Sequence, residues 1–505
     1  MSISLLLDMA ASGSPDRTAF IADRETVSFV QFSARVDRAG AAITASGAKT
    51  VVYLGGSNLA LPTLLFAAAH AGVPFAPLNY RLSATQLERL LGRLADPLVV
   101  IESRYRDMLS ATRNNIVTVE EFSDLTAKTE ASAPSAVDPE STAVLLFTSG
   151  TTSAPKGVVL RHSNLLSYVM GTVEFGSAED NEGALVSVPP YHIAGIGTIL
   201  TNVYAGRRII YLPQFDARKW LDLVKQSGAT SAMVVPTMLD MIVDELRGEL
   251  ADVPSLRSLS YGGARMPLPA LEAAVRSFEG VGFVNAYGLT ETSSTIALLG
   301  PDDHREALTS DDPHTRARLG SIGRPVAGIE VELRDSDGRK VGTGEQGELW
   351  VRGGQVSGEY MESGSVLDQD GWFPTRDLAY QDDDGYLFVI GRNDDTIIRG
   401  GENIAPAEIE DVLIQHPLVR SVAVVGVPND RWGQATAATV VLQPGADADA
   451  DALRQFVRTR LRGSRTPDLI VFRDALPTTA TGKILRHEII ADIVGDSQTT
   501  SLNRF

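Results

Sequence analysis

Short apolar runs followed by helical patterns recur from residue 50 to about residue 285, and this rhythm limits the fold more than any single motif. Residues 50–54, 98–101, 142–147, 184–188, 208–212, 231–235 and 256–261 read as strands, and 37–46, 59–71, 216–227 and 267–278 read as helices. Continuously apolar strands alternating with helices predict parallel β/α units whose sheets are covered on both faces. Residues 130–138, rich in Ser, Ala and Pro, read as a surface connection. From about residue 320 the pattern changes to short strands with glycine turns, at 329–334, 348–351 and 386–390, which predicts antiparallel β. Residues 395–505 restart a mixed α/β pattern, with strands at 421–425 and 436–442. No internal repeat interrupts this order.

Composition excludes several functions. The chain has 505 residues and a net charge of −18, which argues against sequence-independent nucleic-acid binding. It has no cysteine, so disulfides, thiolate-ligated zinc, iron–sulfur clusters and cysteine nucleophiles are all ruled out. No apolar run approaches the ~20 residues of a membrane span. The first residues lack the basic region of a signal peptide, and the expected location is cytoplasmic.

Four segments carry chemistry. Residues 148–157 follow an apolar strand and hold Thr148, Ser149, Gly150, Thr151, Thr152, Lys156 and Gly157. Small residues let backbone N–H groups approach an anion, hydroxyls add donors, and the lysine adds charge, so the segment suits a polyphosphate. Pro155 and Gly157 set it apart from the GxxxxGK[ST] loop. Residues 285–292 offer Tyr287 to stack on a base and Glu291 to hold a magnesium ion. Asp377 and Arg392 suit the hydroxyls of a ribose. Lys483, behind Gly482, is a lone lysine whose bland reading is a solvated charge. The G-x-G-x-x-G match at 342–347 precedes a strand, so it reads as a hairpin turn. The acidic run at 447–451 lacks the glycine and glutamate of a calcium loop and reads as the start of a helix. His162 reads as a helix-start residue.

Taken in order, 147–158, 189–192, 285–292, 375–377, 391–410 and 477–486 resemble the successive motifs of the adenylate-forming superfamily of acyl-CoA synthetases, adenylation domains and luciferases. The resemblance spans roughly residues 15–490. It implies an α/β fold with a large N-terminal domain of mixed sheets plus a β-barrel-like subdomain, residues 1–393. A small, mobile α+β C-terminal domain would occupy 394–505. Thr148, Ser149, Gly150, Thr151, Thr152 and Lys156 would cradle the β- and γ-phosphates of ATP. Thr148 and Glu291 would hold Mg²⁺. Gly263 and Ala264 would border adenine with Tyr287 stacked on it; Asn285 and Gly288 belong to the same motif, and Thr290 would touch the α-phosphate. Asp377 and Arg392 would bind ribose. Lys483 would bridge the carboxylate and α-phosphate, and His192 would stand beside the reacting carboxylate. Asp394 would be the hinge, and Gly401 would line the pantetheine tunnel. Three features depart from the family pattern: Arg376 replaces the glycine before Asp377, Arg265 stands where proline is common, and Ser153 and Ala154 fill the loop unusually.

The function implied is an AMP-forming acyl-CoA synthetase that activates an apolar fatty or aryl acid with ATP and Mg²⁺ and passes it to coenzyme A. Because the chain lacks cysteine, the thiol must come from outside. The close rival loads an acyl carrier protein. The short separation of Met361 from Gly371 leaves no room for the insertion usual in fatty acyl-AMP ligases and favours coenzyme A. A regulatory ATP-binding relative, a peptide-synthetase module and luciferase-like oxidation are more distant readings, the module because only about 15 residues follow Ile490. The resemblance also leaves room for a homodimer. Gly195 and Gly197, in the expected acyl-pocket region, read equally as space for a bulky tail or as packing glycines.

Overall fold

The computed structural model describes residues 1–22, 25–109, 115–148, 155–429, 431–461, 463–479 and 482–499. Ser149, Gly150, Thr151 and Thr152 lie outside the described residues, as do Ser153, Ala154 and Thr481.

The β/α rhythm resolves into two large sheets. The first has nine strands, ordered 324–325, 294–299, 282–289, 258–262, 231–234, 183–186, 208–211, 18–22 and 25–28. Its six middle strands run parallel, and antiparallel strands close both edges. The second has eight strands, ordered 364–365, 359–360, 156–161, 142–148, 75–77, 50–54, 97–101 and 116–118. One apolar core joins the two sheets through the helices between them. It contains Phe20 and Ile209 from the first sheet, Val51 and Val144 from the second, and Phe32, Leu64 and Ile199 from three helices. Helix Phe29–Ser46 approaches helix Ala60–Ala71 closely: a Cβ on Gly40 would stand 2.4 Å from the His70 ring, so only glycine fits.

The expected helix at 37–46 starts earlier, at Phe29. Ser28 and Gln31 form a reciprocal cap there, and Gly47 ends the helix at φ +71°. Phe29, Phe32 and Val36 extend its buried face. Asp216 caps helix Ala217–Ser227 by accepting from the Lys219 N–H, as its polar start suggests. The Thr18–Ala22 and Glu25–Ser28 hairpin was not expected.

Beyond residue 320 the chain forms a four-stranded antiparallel sheet, ordered Glu330–Arg334, Gly347–Arg352, Phe373–Gln381 and Leu387–Arg392. This sheet is the form taken by the barrel-like unit. Strand Phe373–Gln381 went unread because Pro374 and the charged pair Arg376–Asp377 mask its alternating burial. The small C-terminal domain has a five-stranded sheet built on the long pair Val419–Asn429 and Gly433–Leu442. Among the described residues no helix is long and apolar enough to cross a membrane.

His162 begins helix His162–Thr172 and is buried, with its Nδ1 accepting from the Ile3 N–H at 3.2 Å. Burial, helped by the N-terminal ammonium, lowers its pKa from 6.5 to about 4. The unfolded chain therefore takes up this proton first. The contribution to stability is complete above pH 6.5 and erodes by roughly 3 kcal/mol as pH falls to 4. His162→Gln is expected to flatten the decline of Tm over that interval; an unchanged slope would contradict this origin.

Candidate active site

Thr148 ends strand Thr142–Thr148 and pairs across an antiparallel hairpin with Lys156, the first residue of Lys156–Arg161. The segment between them thus joins two neighbouring strands of one sheet. The Lys156 ammonium sits 5.1 Å from the centre of the Tyr360 ring. The Tyr360 hydroxyl donates to Glu291 Oε1 at 2.8 Å. The Glu291 carbonyl accepts the N–H groups of Ser357 and Gly358 at 2.8 and 3.2 Å. Burial, followed by the Glu291 charge, holds the Tyr360 phenol protonated well above its ordinary range. Lys156, Tyr360 and Glu291 therefore form a connected row, with a carboxylate fixed at both its side chain and its backbone.

A second row lies at the end of strand Gly282–Leu289. Asp377 and Arg392 face each other across strands Phe373–Gln381 and Leu387–Arg392, with Arg392 Nε 3.8 Å from Asp377 Oδ1. The Tyr287 hydroxyl donates to the other carboxylate oxygen. Asp377 is buried, and desolvation raises its pKa while Arg392 opposes the rise. Asn285 is committed elsewhere, with its amide donating to the Ser321 carbonyl at 3.0 Å. Gly288 lies where a Cβ would collide with the Ser294 carbonyl, and Thr290 opens the short 3₁₀ turn Thr290–Thr292. Gly263 has φ +82° in the turn after strand Ser258–Gly262, followed by Ala264.

Lys483 comes from the small domain and joins these rows. Its pKa is lowered by desolvation and then by Arg392, while Asp395, Asp377 and Glu291 oppose the fall. The side chain stays open to solvent, which tempers the desolvation. Gly482 rests on the first turn of helix Pro236–Leu246, where a Cβ would be 2.5 Å from the Thr237 side chain. A close contact between the domains thus fixes the backbone directly before the lysine. Asp394 lies in the 3₁₀ turn Asn393–Asp395, 3.6 Å from Arg376. Gly401, φ +84°, remains in the small domain's hairpin between Ile397–Arg399 and Glu402–Ile404, apart from these rows.

His192 precedes helix Ile193–Ala205. Burial and the Arg81 charge lower its pKa to about 4, so the imidazole is neutral at ordinary pH. Its Nε2 is buried and finds no hydrogen-bond partner among the described residues. Gly195 and Gly197 do not open a pocket: their Cβ positions lie 3.0 Å from the Pro189 carbonyl and 3.3 Å from the Tyr168 ring. Both are packing glycines, and Gly197 seats the helix against Ser294, three residues past Glu291.

Sequence reasoning missed Tyr360 and Asp395, and it reached Thr237 only as part of 232–238, a stretch the resemblance places near the acyl pocket. Tyr360 meets Glu291 by pairing with Val158 across the second sheet, and no local signal marks that long-range contact. A further histidine–carboxylate group, His314 with Asp382 and Asp384, stands outside these rows. Arg318 already holds Asp384 at 2.7 Å, so that group offers no open cation site.

The family described as "AMP-binding enzyme" matches residues 7–361, and "AMP-binding enzyme C-terminal domain" matches 408–483. A feruloyl-CoA synthase from an Amycolatopsis species is 34% identical, over 94% of this chain and 96% of its own length. An indoleacetate–CoA ligase from Aromatoleum aromaticum is 31% identical, over 97% and 98%. Among solved structures, the o-succinylbenzoate CoA synthetase of Bacillus subtilis bound to its acyl-adenylate intermediate has a TM-score of 0.83 at 28% identity, covering 96% of this chain and 97% of that one. The same synthetase has been solved with ATP and a magnesium ion.

Proposed function

Because this chain belongs to the AMP-binding enzyme family of the adenylate-forming superfamily, we propose that it is an ATP-dependent acid–thiol ligase that makes an acyl-CoA from an apolar aryl or fatty acid. The carrying observation is the Asp377–Arg392–Tyr287 group together with the fixed Glu291 carboxylate, all but Tyr287 being groups whose charge reaches Lys483.

A carboxylate is a poor acyl donor because oxide is a poor leaving group. Its attack on the α-phosphorus of ATP forms an acyl adenylate and releases pyrophosphate; AMP then leaves when a thiol attacks. The first transition state spreads negative charge over phosphate oxygens, so catalysis is positioning and electrostatics. Lys156 serves the β- and γ-phosphates with the loop before it, and Lys483 bridges the acid and the α-phosphate. Asp377 accepts from the ribose hydroxyls while Arg392 and Tyr287 fix its orientation. Tyr287 thereby has a second task beside stacking on adenine. Gly263 and Ala264 border the base, and Thr290 touches the α-phosphate. Neutral His192 stands beside the acid, its unpartnered Nε2 available to it.

Glu291 and Thr148 are hard oxygen donors, and the fixed Glu291 carboxylate fits Mg²⁺. When bound, the ion would neutralise phosphate charge. Coenzyme A supplies the thiol, with Gly401 lining its approach. We place the domain boundary at 393/394. The named activities of the relatives concern ferulate, indoleacetate and 2-succinylbenzoate, which puts aromatic acids first in the panel.

Pyrophosphate release over aryl, branched and fatty acids, with and without coenzyme A, tests this reading. The expected result is release with one acid class, accelerated by coenzyme A and yielding AMP and thioester. Release that stops after one turnover and ignores coenzyme A would point to a carrier-protein acceptor. No acid-dependent release at all would overturn the ligase.

A further inference from the structure

Arg376 adopts φ +64°, a left-handed conformation that strains a side chain of its size. It directly precedes buried Asp377, and its guanidinium lies 3.6 Å from the Asp394 carboxylate. The Arg376 N–H donates to Glu348 Oε1 at 3.2 Å, and Glu348 Oε2 accepts from the Asn393 amide at 3.1 Å. Side chain and backbone of one residue thus tie the ribose-side strand to the turn that leads into the small domain. Two outer ion pairs support the same pose: Arg265 with Asp411 at 2.5 Å and Arg420 with Asp244 at 3.0 Å.

We propose that Arg376 is a positioning residue for adenylation: through Asp394 it holds the small domain in the orientation that brings Lys483 to the nucleotide site. This rests on the two-step ligase reading. Asp394 lies on the pivot, so changing its backbone angles swings its carboxylate away from Arg376. Breaking this pair therefore accompanies the turn toward thioester formation. Both side chains are about half exposed, at 57% and 45%, which keeps the pair weak enough to break in every cycle. Arg265 extends the same brace to the adenine side.

Arg376→Gly is the direct test, because glycine accepts this conformation without strain. ATP–pyrophosphate exchange is expected to fall about three- to fivefold, the range of an exposed ion pair. Conversion of supplied acyl adenylate to thioester should be equal or faster. Arg376→Lys, which keeps the charge, should recover most of the exchange. Equal losses in both half-reactions, or unchanged exchange, would overturn the proposal. A distance measurement separates it from the ligase reading. Spin labels on Glu249→Cys and Gln415→Cys, exposed sites on the two domains of an otherwise cysteine-free chain, report the domain pose. Arg376→Gly should broaden the distance distribution, and an unchanged distribution would rule out the brace. If the wild type shows no acid-dependent exchange, the ligase reading fails while the labels still decide the brace.

Discussion

Lys483→Ala is expected to lower acid-dependent ATP–pyrophosphate exchange by about a hundred- to a thousandfold, the usual effect of removing one preorganised charge from a transition state. Thioester formation from supplied acyl adenylate and coenzyme A should stay within about twofold, because the α-phosphate has by then lost its pyrophosphate. The fold should survive: the residue's backbone N–H donates to the Thr479 hydroxyl at 3.1 Å and its carbonyl accepts from the Thr479 N–H at 2.8 Å, and alanine keeps both. The pH profile adds a second signature. Desolvation and Arg392 lower the lysine's pKa from 10.5, so the first half-reaction should lose rate on the alkaline side earlier than an ordinary lysine predicts. Equal losses in both half-reactions would remove the role given to Lys483.

The apolar strands between residues 50 and 262 that were expected, and the order of motifs, were legible in the sequence because their signals are local. The apolar run before Thr148, the polar start and glycine end of Ala217–Ser227, and the glycine turns past residue 320 are each written within a few residues. The site's supports are not local. Tyr360 reaches Glu291, Thr237 meets Gly482 and Arg376 meets Asp394 only once separate sheets and domains have packed. Tyr287 shows the same limit. Its motif suggests a ring for stacking, but only the fold reveals that its hydroxyl holds Asp377. Arg265 and Arg376 were visible as departures from the family pattern, yet their partners were not, since both lie in chain segments far from them or across a turn.

Asp394→Pro is expected to divide the two half-reactions in the opposite sense. Proline fixes φ near −65°, a value the 3₁₀ turn Asn393–Asp395 accommodates. The pose with Lys483 at the nucleotide site is therefore available to the variant, while a rotation that needs this angle to change is not. Exchange should stay within about tenfold of the wild type, allowing for the lost Arg376 pair and the bias proline places on Asn393. Thioester formation from supplied acyl adenylate should fall by about a hundredfold, as expected when a gating motion is blocked. Asp394→Asn separates the effects: it removes the charge and keeps the freedom, so it should resemble Arg376→Gly, with exchange modestly reduced and thioester formation intact. Equal losses in both half-reactions for the proline variant would remove the hinge from residue 394. A thioester defect of the same size in the asparagine variant would assign the effect to the carboxylate instead of the backbone.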